Sequence, residues 1–304
     1  MSTTDCTLSM LVARPDLPFM MQTLPHRLRM LNFPFAERLV IMDTAPLTGN
    51  YAYRTDIGSL AELRARCEEL RAASLVDRIV EIDCHNPAQQ KIYTQQFSKK
   101  VRDTRDFRGY PNIGWVLAIA EATTDYVLYF DSDMLLYQAP KHNWVREGID
   151  LLQKNPEILF VAPLPGPPTG DKTLKQRGVP YELDPRGFYR FKNFTSRKFL
   201  TDRRRFSGFL PLDPTYVSWK RRLLGLLTGQ SAMETWEVMV SRKLAATNYI
   251  RADLTSPNAW TLHPAVRPPE FYEALPEIIA KIERGWFPPE QAGDYDLQLK
   301  TWLR

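Results

Sequence analysis

The first half of the chain alternates short apolar runs with amphipathic stretches. Between the apolar runs, apolar residues recur every three or four positions, as Leu63, Cys67 and Leu70 do. Strands and helices that alternate at this spacing predict an α/β fold with a mainly parallel sheet flanked by helices. The predicted strands are residues 7–12, 38–43, 77–83 and 126–131, followed by a run that begins at Ile158.

Three of these predicted strands end at an aspartate: Asp43, Asp83 and Asp131. The carboxyl ends of parallel strands meet at one edge of a sheet, where the ligands of such folds bind. Aspartate also caps the turns that follow strands, because its carboxylate accepts hydrogen bonds from nearby backbone N–H groups. Both interpretations remain open for Asp43 and Asp83. Asp131 differs because Asp133 follows it, which puts two carboxylates one residue apart at the end of a buried strand.

Length and composition set the broad class of protein. The chain has 304 residues, of which 44% are apolar and 25% charged, and its formal net charge is +5. This fits one domain over residues 1–304, with a regular half of about 1–168 and a looser, aromatic and basic half of about 169–304. So small an excess of positive charge gives no reason to expect a nucleic-acid partner. The sequence shows neither a secretion signal nor a membrane-spanning run, so we expect a cytoplasmic protein, soluble or peripheral.

Two aspartates this close repel each other unless a cation lies between them. Mg²⁺ and Mn²⁺ prefer oxygen ligands and share their remaining positions with water and substrate phosphates. A metal-bridged diphosphate is therefore the natural ligand of Asp131 and Asp133. Two chemistries use such a pair after a buried strand. One is sugar transfer from a sugar nucleotide, and the other is phosphatase chemistry of the haloacid-dehalogenase type with Asp131 as the nucleophile.

The phosphatase alternative requires a second acidic motif after a later strand. The chain has GDYD at residues 293–296, but the preceding residues FPPEQA do not have the pattern of a strand. A motif match is a hypothesis about its structural context, and here that context is missing. The sequence therefore favours sugar transfer.

Several segments appear in an order that resembles a known family. GYPNIGWVLAIAEATTDYVLYFDSD is similar to a helix with an Asn-x-Gly start that feeds a metal-binding strand. FLTDRRRFSGFLPLD, then GQSAMETWEVMVSRKLAATNYIRADL, then NAWTLHP follow along the chain. Together they resemble the motifs of family-two-like glycosyltransferases with the GT-A fold, over about residues 7–264.

The resemblance implies roles for particular residues of this chain. It implies that a nucleoside-diphosphate sugar, with UDP or GDP as its nucleotide, contacts Ala13, Arg14, Asp43, Asp83, Asp131 and Ser132. It also implies a Mn²⁺ or Mg²⁺ ion that is held by Asp131, Asp133 and His263.

The start of the catalytic helix departs from the family's pattern. Inverting members carry a Glu-Asp pair there and use the second acid as general base, whereas this chain has Glu234 followed by Thr235. Glu234 or Glu237 can serve instead, because a carboxylate within hydrogen-bond reach of the acceptor hydroxyl can take its proton. SAME, residues 231–234, also has the pattern of a capping box in which Glu234 only caps its own helix. Inverting and retaining outcomes both remain open, with a slight preference for inverting.

The expected activity is transfer of a hexose to a hydroxyl of a carbohydrate or lipid-linked acceptor, in glycan, polysaccharide or glycolipid synthesis. We expect the acceptor to enter beside residues 206–209 and the helix that begins near Glu234. The stretch YVSWKRRLLGLLTG, residues 216–229, suits peripheral contact with an anionic bilayer, a lid over the donor, or plain core. A sugar-nucleotide-binding protein without turnover is a further alternative, because Thr235 replaces an acid.

Overall fold

A computed structural model describes residues 5–46, 57–175, 178–228 and 230–304. In the segment MDTAPLTGN, residues 42–50, the structure describes the chain as far as Pro46, and the residues after it lie outside the described set. The strands form a nine-stranded sheet and a second sheet of three strands. They are β1 (Cys6–Val12), β2 (Glu37–Asp43), β3 (Arg78–Ile82), β4 (Tyr126–Asp131), β5 (Leu135–Gln138), β6 (Ile158–Ala162), β7 (Leu164–Pro165), β8 (Glu182–Asp184), β9 (Phe188–Phe191), β10 (Lys198–Asp202), β11 (Ile250–Leu254) and β12 (Ala259–Leu262).

The large sheet has the strand order β3-β2-β1-β4-β10-β6-β11-β9-β8. β3, β2, β1 and β4 pair in parallel, so their carboxyl ends share one edge. β10 inserts antiparallel between β4 and β6, and β11 lies parallel to β6. In the described part of this sheet only β10 and β9 run against the other strands. The predicted α/β fold is confirmed, and both halves of the chain contribute strands to one sheet.

Helices cover both faces of the large sheet. They are α1 (Met20–Leu31), α2 (Leu60–Ala72), α3 (Pro87–Thr94), α4 (Asn112–Ala120), α5 (Trp144–Lys154), α6 (Arg203–Phe209), α7 (Trp219–Thr228), α8 (Trp236–Ala245), α9 (Pro269–Glu283) and α10 (Leu299–Trp302). Apolar residues of α1, α2 and α5 share one core, and those of α4, α6 and α8 share a second. Because successive strand residues point to opposite faces, Met10 of β1 lies in the first core and Leu11 in the second.

The three-stranded sheet has the order β5-β12-β7 and packs with α9 around a third core. His263 follows β12 directly, so the position of β12 in this sheet determines where His263 lies. Gly166 follows β7 with a φ of +90°, and a Cβ there would lie 2.4 Å from the carbonyl oxygen of Asp294. Glycine therefore allows the C-terminal segment, residues 289–298, to rest against β7 and bring Asp296 beside His263.

The start of α8 differs from the sequence-based prediction of a helix that begins near Glu234, for which a capping box at residues 231–234 was one interpretation. The helix begins at Trp236, because Thr235 is its N-cap and accepts a hydrogen bond from the backbone N–H of Val238 at 3.2 Å. Ser231 instead accepts from the N–H of Met233 at 3.1 Å, in the turn before the helix. The threonine in place of the family's acid thus caps the helix.

The last long helix, α9, runs from Pro269 to Glu283. Pro269 occupies its first turn, where the missing N–H costs nothing, and the helix continues through Pro276. Within the described ranges, no helix has both the length and the apolar composition needed to cross a bilayer.

Candidate active site

A cavity of about 270 Å³ opens at the carboxyl edge of the parallel strands. The ends of β1, β2 and β4 form its floor, and its walls come from residues 105–111, from Arg197 before β10 and from the loop after β12. The predicted site residues that line it are Ala13, Asp43, Asp131, Ser132, Asp133, Glu237 and His263. The structure therefore brings together residues that are up to 250 positions apart in the chain.

Asp131 ends β4 at the floor of the cavity. Its backbone N–H donates to the carbonyl oxygen of Arg197 at 2.7 Å, which ties the strand end to β10. Its carboxylate accepts a hydrogen bond from the Tyr129 hydroxyl at 2.6 Å and lies 3.8 Å from the Arg197 guanidinium. Burial raises the pKa of Asp131, and the nearby charge of Asp133 raises it further. A raised pKa indicates that this carboxylate lacks sufficient positive charge nearby.

Asp133 is buried and shares one carboxylate oxygen between two cationic or ionisable groups. Its Oδ2 contacts the guanidinium of Arg267 and lies 3.8 Å from Nε2 of His263. Burial by itself raises the pKa of Asp133, but positive charge on His263 when its ring is protonated, and on Arg267 and Arg197, outweighs burial, so the pKa of Asp133 is lowered. Its other oxygen, Oδ1, is buried without a hydrogen-bond partner in the described part of the chain. Such an orphaned oxygen is costly unless a ligand completes it.

The imidazole of His263 is fixed by two neighbours. Its Nδ1 lies 2.8 Å from the carboxylate of Asp296, and the ring stacks on Tyr295 with centroids 5.8 Å apart. If Nδ1 donates to Asp296, Nε2 keeps a lone pair, and this lone pair faces the carboxylate of Asp133. Burial lowers the pKa of His263 despite the Asp296 hydrogen bond, which favours the neutral ring. Two acceptors then face each other across 3.8 Å, an arrangement that a shared cation would relieve.

The fit of these residues to a divalent metal ion is partial. Asp133 and His263 offer an oxygen and a nitrogen towards one point, and Asp296 orients the imidazole as residues behind metal ligands do. Within the described residues, no three His, Cys, Asp or Glu side chains are grouped closely enough to form a complete metal site. The structure therefore groups only the pair Asp133 and His263, while Asp131, the third predicted ligand, contacts Tyr129 and Arg197.

Asp43 and Ala13 line the side of the cavity formed by β1 and β2. Both oxygens of the Asp43 carboxylate accept from Arg105 at 2.8 Å, in an ion pair that is largely buried. The backbone N–H of Ala13 donates to Asp16 at 2.8 Å, and burial raises the pKa of Asp16 to about 7. Charged side chains thus line this side as well as the Asp133 side.

Two predicted nucleotide contacts do not reach the cavity. Asp83 follows β3 as an exposed residue, and its carboxylate accepts from the backbone N–H of His85 at 2.8 Å. It therefore caps the turn, which is the alternative that its position after a strand left open. Arg14 lies in a 3-10 turn, Arg14–Asp16. Its neighbours Ala13 and Pro15 line the cavity, but Arg14 itself does not.

The two candidate bases, Glu234 and Glu237, lie at different positions relative to the cavity. Glu237, in the first turn of α8, lines the cavity, and its Oε2 accepts from both the backbone N–H and the hydroxyl of Ser196, at 2.7 and 2.9 Å. Glu234 does not line it. The backbone of Glu234 is held by Asn112, which donates to its carbonyl oxygen at 3.0 Å and accepts from the N–H of Trp236 at 2.8 Å. Geometry thus favours Glu237 over Glu234 as a base.

No protein-family model matches the chain, and no curated protein matches it. Two solved glycosyltransferase structures are similar to it. GalNAc-T7 with UDP, GalNAc and Mn²⁺ has a TM-score of 0.49 at 12% identity over 85% of this chain and 43% of GalNAc-T7. S. aureus TarS 1–349 with UDP-GlcNAc has a TM-score of 0.40 at 13% identity over 91% of this chain and 65% of that one. The chain thus spans less than two thirds of either, and at TM-scores under 0.5 neither likeness carries the functional argument.

Sequence reasoning missed the arginines of the cavity. Arg105, Arg197 and Arg267 all line it, and each contacts one of the predicted aspartates. Arg267 lies four residues after His263, and Arg197 directly precedes β10. Neither position belongs to a periodic pattern, so only the order of strands in the sheet brings these cations to Asp131 and Asp133.

Of the two features at the predicted acceptor entrance, α8 contributes Glu237 to the cavity, whereas residues 206–209 do not line it. Phe206 and Phe209 of α6 are buried in the second core. Because β10 is antiparallel to β4, Asp202 pairs with Tyr126 at the start of β4, so α6 begins at the edge of the sheet opposite Asp131. The neighbouring arginines 203–205 lie at that far edge too, and Arg203 donates to the backbone carbonyls of residues 122 and 124.

Proposed function

We propose that the protein is a metal-dependent glycosyltransferase of the GT-A type, which moves a hexose from a nucleoside-diphosphate sugar to an acceptor hydroxyl. The observation that carries the proposal is the buried pair of Asp133 and His263 at the floor of the cavity. Asp133 has a carboxylate oxygen without a partner among the described residues, and Nε2 of His263 faces the same carboxylate at 3.8 Å. A divalent cation bound to this carboxylate and to Nε2 would give both side chains a partner.

Asp133 and His263 are the residues that hold the cation in this proposal. When bound, Mn²⁺ or Mg²⁺ neutralises charge on the departing diphosphate. Asp296 keeps the imidazole of His263 in the orientation that presents Nε2. Asp131 and Ser132 complete the floor beside the cation, with Asp131 positioned by Tyr129.

Arg197 and Arg267 bind the diphosphate from either side of the aspartates. Both guanidinium groups line the cavity, and each contacts a carboxylate of the pair. Guanidinium groups bind phosphate oxygens with two parallel hydrogen bonds, so a diphosphate offers Arg267 a partner that can replace Asp133. The nucleoside occupies the side lined by Ala13, Asp43 and Arg105, with uridine and guanosine both possible.

Glu237 is the acceptor base in this proposal. The acceptor oxygen forms a bond to the anomeric carbon, the bond from that carbon to the diphosphate breaks, and Glu237 takes the hydroxyl proton. The hydrogen bonds from Ser196 fix one oxygen of Glu237, which leaves the other for the acceptor. This role implies inversion at the anomeric carbon, since the base acts on the side opposite the leaving diphosphate.

α7 supports a further proposal, that the protein touches an anionic bilayer. Trp219, Leu223 and Leu227 are exposed by 71%, 57% and 82%, and they follow or flank the cations Lys220 and Arg221. The side chains of residues 224 and 226 lie outside the described set. Exposed apolar residues beside cations suit the surface of an anionic membrane. The wild type should sediment with phosphatidylglycerol vesicles and Trp219→Ser should stay in the supernatant. Neither protein should sediment with phosphatidylcholine vesicles.

A thermal-shift panel with UDP, GDP and CDP, each with and without Mn²⁺, tests the donor site. A ligand that binds only the folded state raises the free energy of unfolding, by about 2.7 kcal/mol at a hundredfold excess over its Kd, and the melting temperature rises with it. We expect one nucleotide to shift the protein strongly, and only when Mn²⁺ is present. No shift with any nucleotide would contradict the proposal.

Turnover separates the remaining function classes. A glycosyltransferase slowly hydrolyses its sugar nucleotide in the presence of Mn²⁺, and this reaction should require Asp133. A phosphatase would instead release phosphate from simple phosphomonoesters and label Asp131. A sugar-nucleotide-binding protein would show the thermal shift and neither reaction, which would contradict the proposed activity.

A further inference from the structure

A second cavity of about 660 Å³ adjoins the first. Four residues line both cavities: Arg197, Glu237, His263 and Ala265. A molecule in the second cavity can therefore present a hydroxyl to Glu237 from the side away from Asp43. Cavities of this volume hold small organic ligands.

Most charges around the second cavity are already paired. Arg251 and Asp253 of β11 form a buried bidentate ion pair at 2.8 and 3.1 Å. Asp296 pairs with the imidazole of His263, and Asp294 lies 4.0 Å from Lys175. The pair of Arg251 and Asp253 therefore leaves little net charge on β11.

Among the described cations that line this cavity, Lys198 differs because it has no such pair. It lines the second cavity with 1% of its surface exposed, and its ammonium lies 3.8 Å from the centre of the Tyr295 ring. Within the described ranges, no carboxylate lies close enough to Lys198 for an ion pair. Burial lowers the pKa of Lys198 to about 7, although Asp253 and Asp296 act in the opposite direction. A buried lysine without a counter-ion destabilises the fold unless a ligand supplies one.

We propose that the second cavity binds the acceptor, and that the acceptor carries a carboxylate or phosphate which pairs with Lys198. The proposal rests on the glycosyltransferase function proposed above and adds the chemical class of the acceptor, an acidic sugar or a sugar phosphate. The anion on Lys198 orients the acceptor so that its hydroxyl reaches Glu237 at the junction of the two cavities. An ion pair of this kind also removes the cost of the buried ammonium.

The test uses the full chain with saturating UDP and Mn²⁺ at constant ionic strength. D-glucuronate, D-glucose 6-phosphate and neutral D-glucose are titrated in parallel by calorimetry and thermal shift. We expect at least one of the two anions to bind about tenfold or more tightly than glucose, the size of one charge-assisted contact. Whichever anion binds distinguishes carboxylate from phosphate as the recognised group.

Lys198→Met keeps the length and apolar stem of the side chain and removes its charge. We expect this variant to lose the preference for the anion, to keep the UDP shift, and to melt at the same temperature as the wild type or higher. Lys154→Met, the same change at an exposed position on α5, is the matched control and should leave all three unchanged. If Lys198→Met does not fold, Lys198→Gln also removes the charge and can be used to measure the preference for the anion over glucose.

The outcomes keep the two proposals apart. Equal binding of glucose and both anions to the wild type overturns the inference, as does an anion preference that survives in Lys198→Met or Lys198→Gln. A missing UDP shift argues against the donor site alone, because the same titrations without UDP still report on the second cavity.

Discussion

Replacing Asp133 by Asn should abolish donor turnover and leave the fold intact. The change removes the negative charge that faces His263 and Arg267 and the oxygen that has no partner among the described residues. A metal ion contributes several kcal/mol to stabilising a leaving phosphate. Loss of about 4 kcal/mol of this stabilisation lowers kcat/KM by about 10³-fold.

The effect of this substitution on stability should be small. Arg267 loses its contact with Asp133, but a quarter of its side chain is exposed and it lies 5.0 Å from the centre of the Phe19 ring, so water and the ring accommodate it. The relieved cost of burying a carboxylate offsets the lost ion pair. We expect the free energy of unfolding to change by no more than about 1 kcal/mol, which corresponds to about 2 °C in Tm for a chain of this size.

Hydrolysis of the sugar nucleotide, measured at several Mn²⁺ concentrations, provides the assay. Asp202→Asn is the matched control: Asp202 is also buried, but it caps α6 at the opposite edge of the sheet, where Asn caps equally well. If Asp133→Asn retains Mn²⁺-dependent turnover within tenfold of the wild type, Asp133 does not hold the cation. An equal loss of activity in Asp202→Asn would contradict the proposal as well.

Three further substitutions test other parts of the structure. Glu237→Gln should lower transfer about 10²- to 10⁴-fold and keep the UDP thermal shift; transfer within tenfold of the wild type would exclude Glu237 as the base. Asp253→Ala leaves Arg251 buried without its partner, so urea unfolding should show a loss of about 3–5 kcal/mol, and an unchanged midpoint would contradict this. The pKa of Glu283 is lowered to about 2, chiefly by its hydrogen bond with His26. The stability it contributes is present above the unfolded-state pKa near 4.5 and is lost as the pH falls towards 2, so wild type should lose more stability than Glu283→Gln between pH 5 and pH 3; parallel profiles in acid urea titrations would contradict the assignment.

The parallel half of the sheet could be predicted from the sequence because its signals are local. The run that leads to Asp131 is aromatic or aliphatic up to the aspartate, so this strand was predicted with the bounds that the structure shows. The pair Asp131 and Asp133 was predictable for the same reason. Strand ends in a parallel sheet gather at one edge whatever the loops do.

The parts that could not be predicted depend on contacts between distant segments. Arg267 reaches Asp133 only because β12 and α9 pack beside the large sheet, and the pairing of Asp296 with His263 needs the segment that rests on Gly166. The start of α8 depended on which of two hydroxyl residues caps it, and local propensity did not distinguish them. Residues 206–209 lie away from the cavity because β10 is antiparallel to β4, and the composition of β10 does not indicate its direction.

Because β10 is inserted between β4 and β6, its alignment with them fixes where the residues at its start lie. Arg197 and Lys198 are consecutive at the start of β10: Arg197 approaches Asp131 and lines both cavities, whereas the ammonium of Lys198 lies against the Tyr295 ring and lines the second. Sliding β10 by a single position would exchange every inward and outward side chain along it. A shift of this short strand would therefore displace Arg197 and Lys198 together, and with them walls of both cavities.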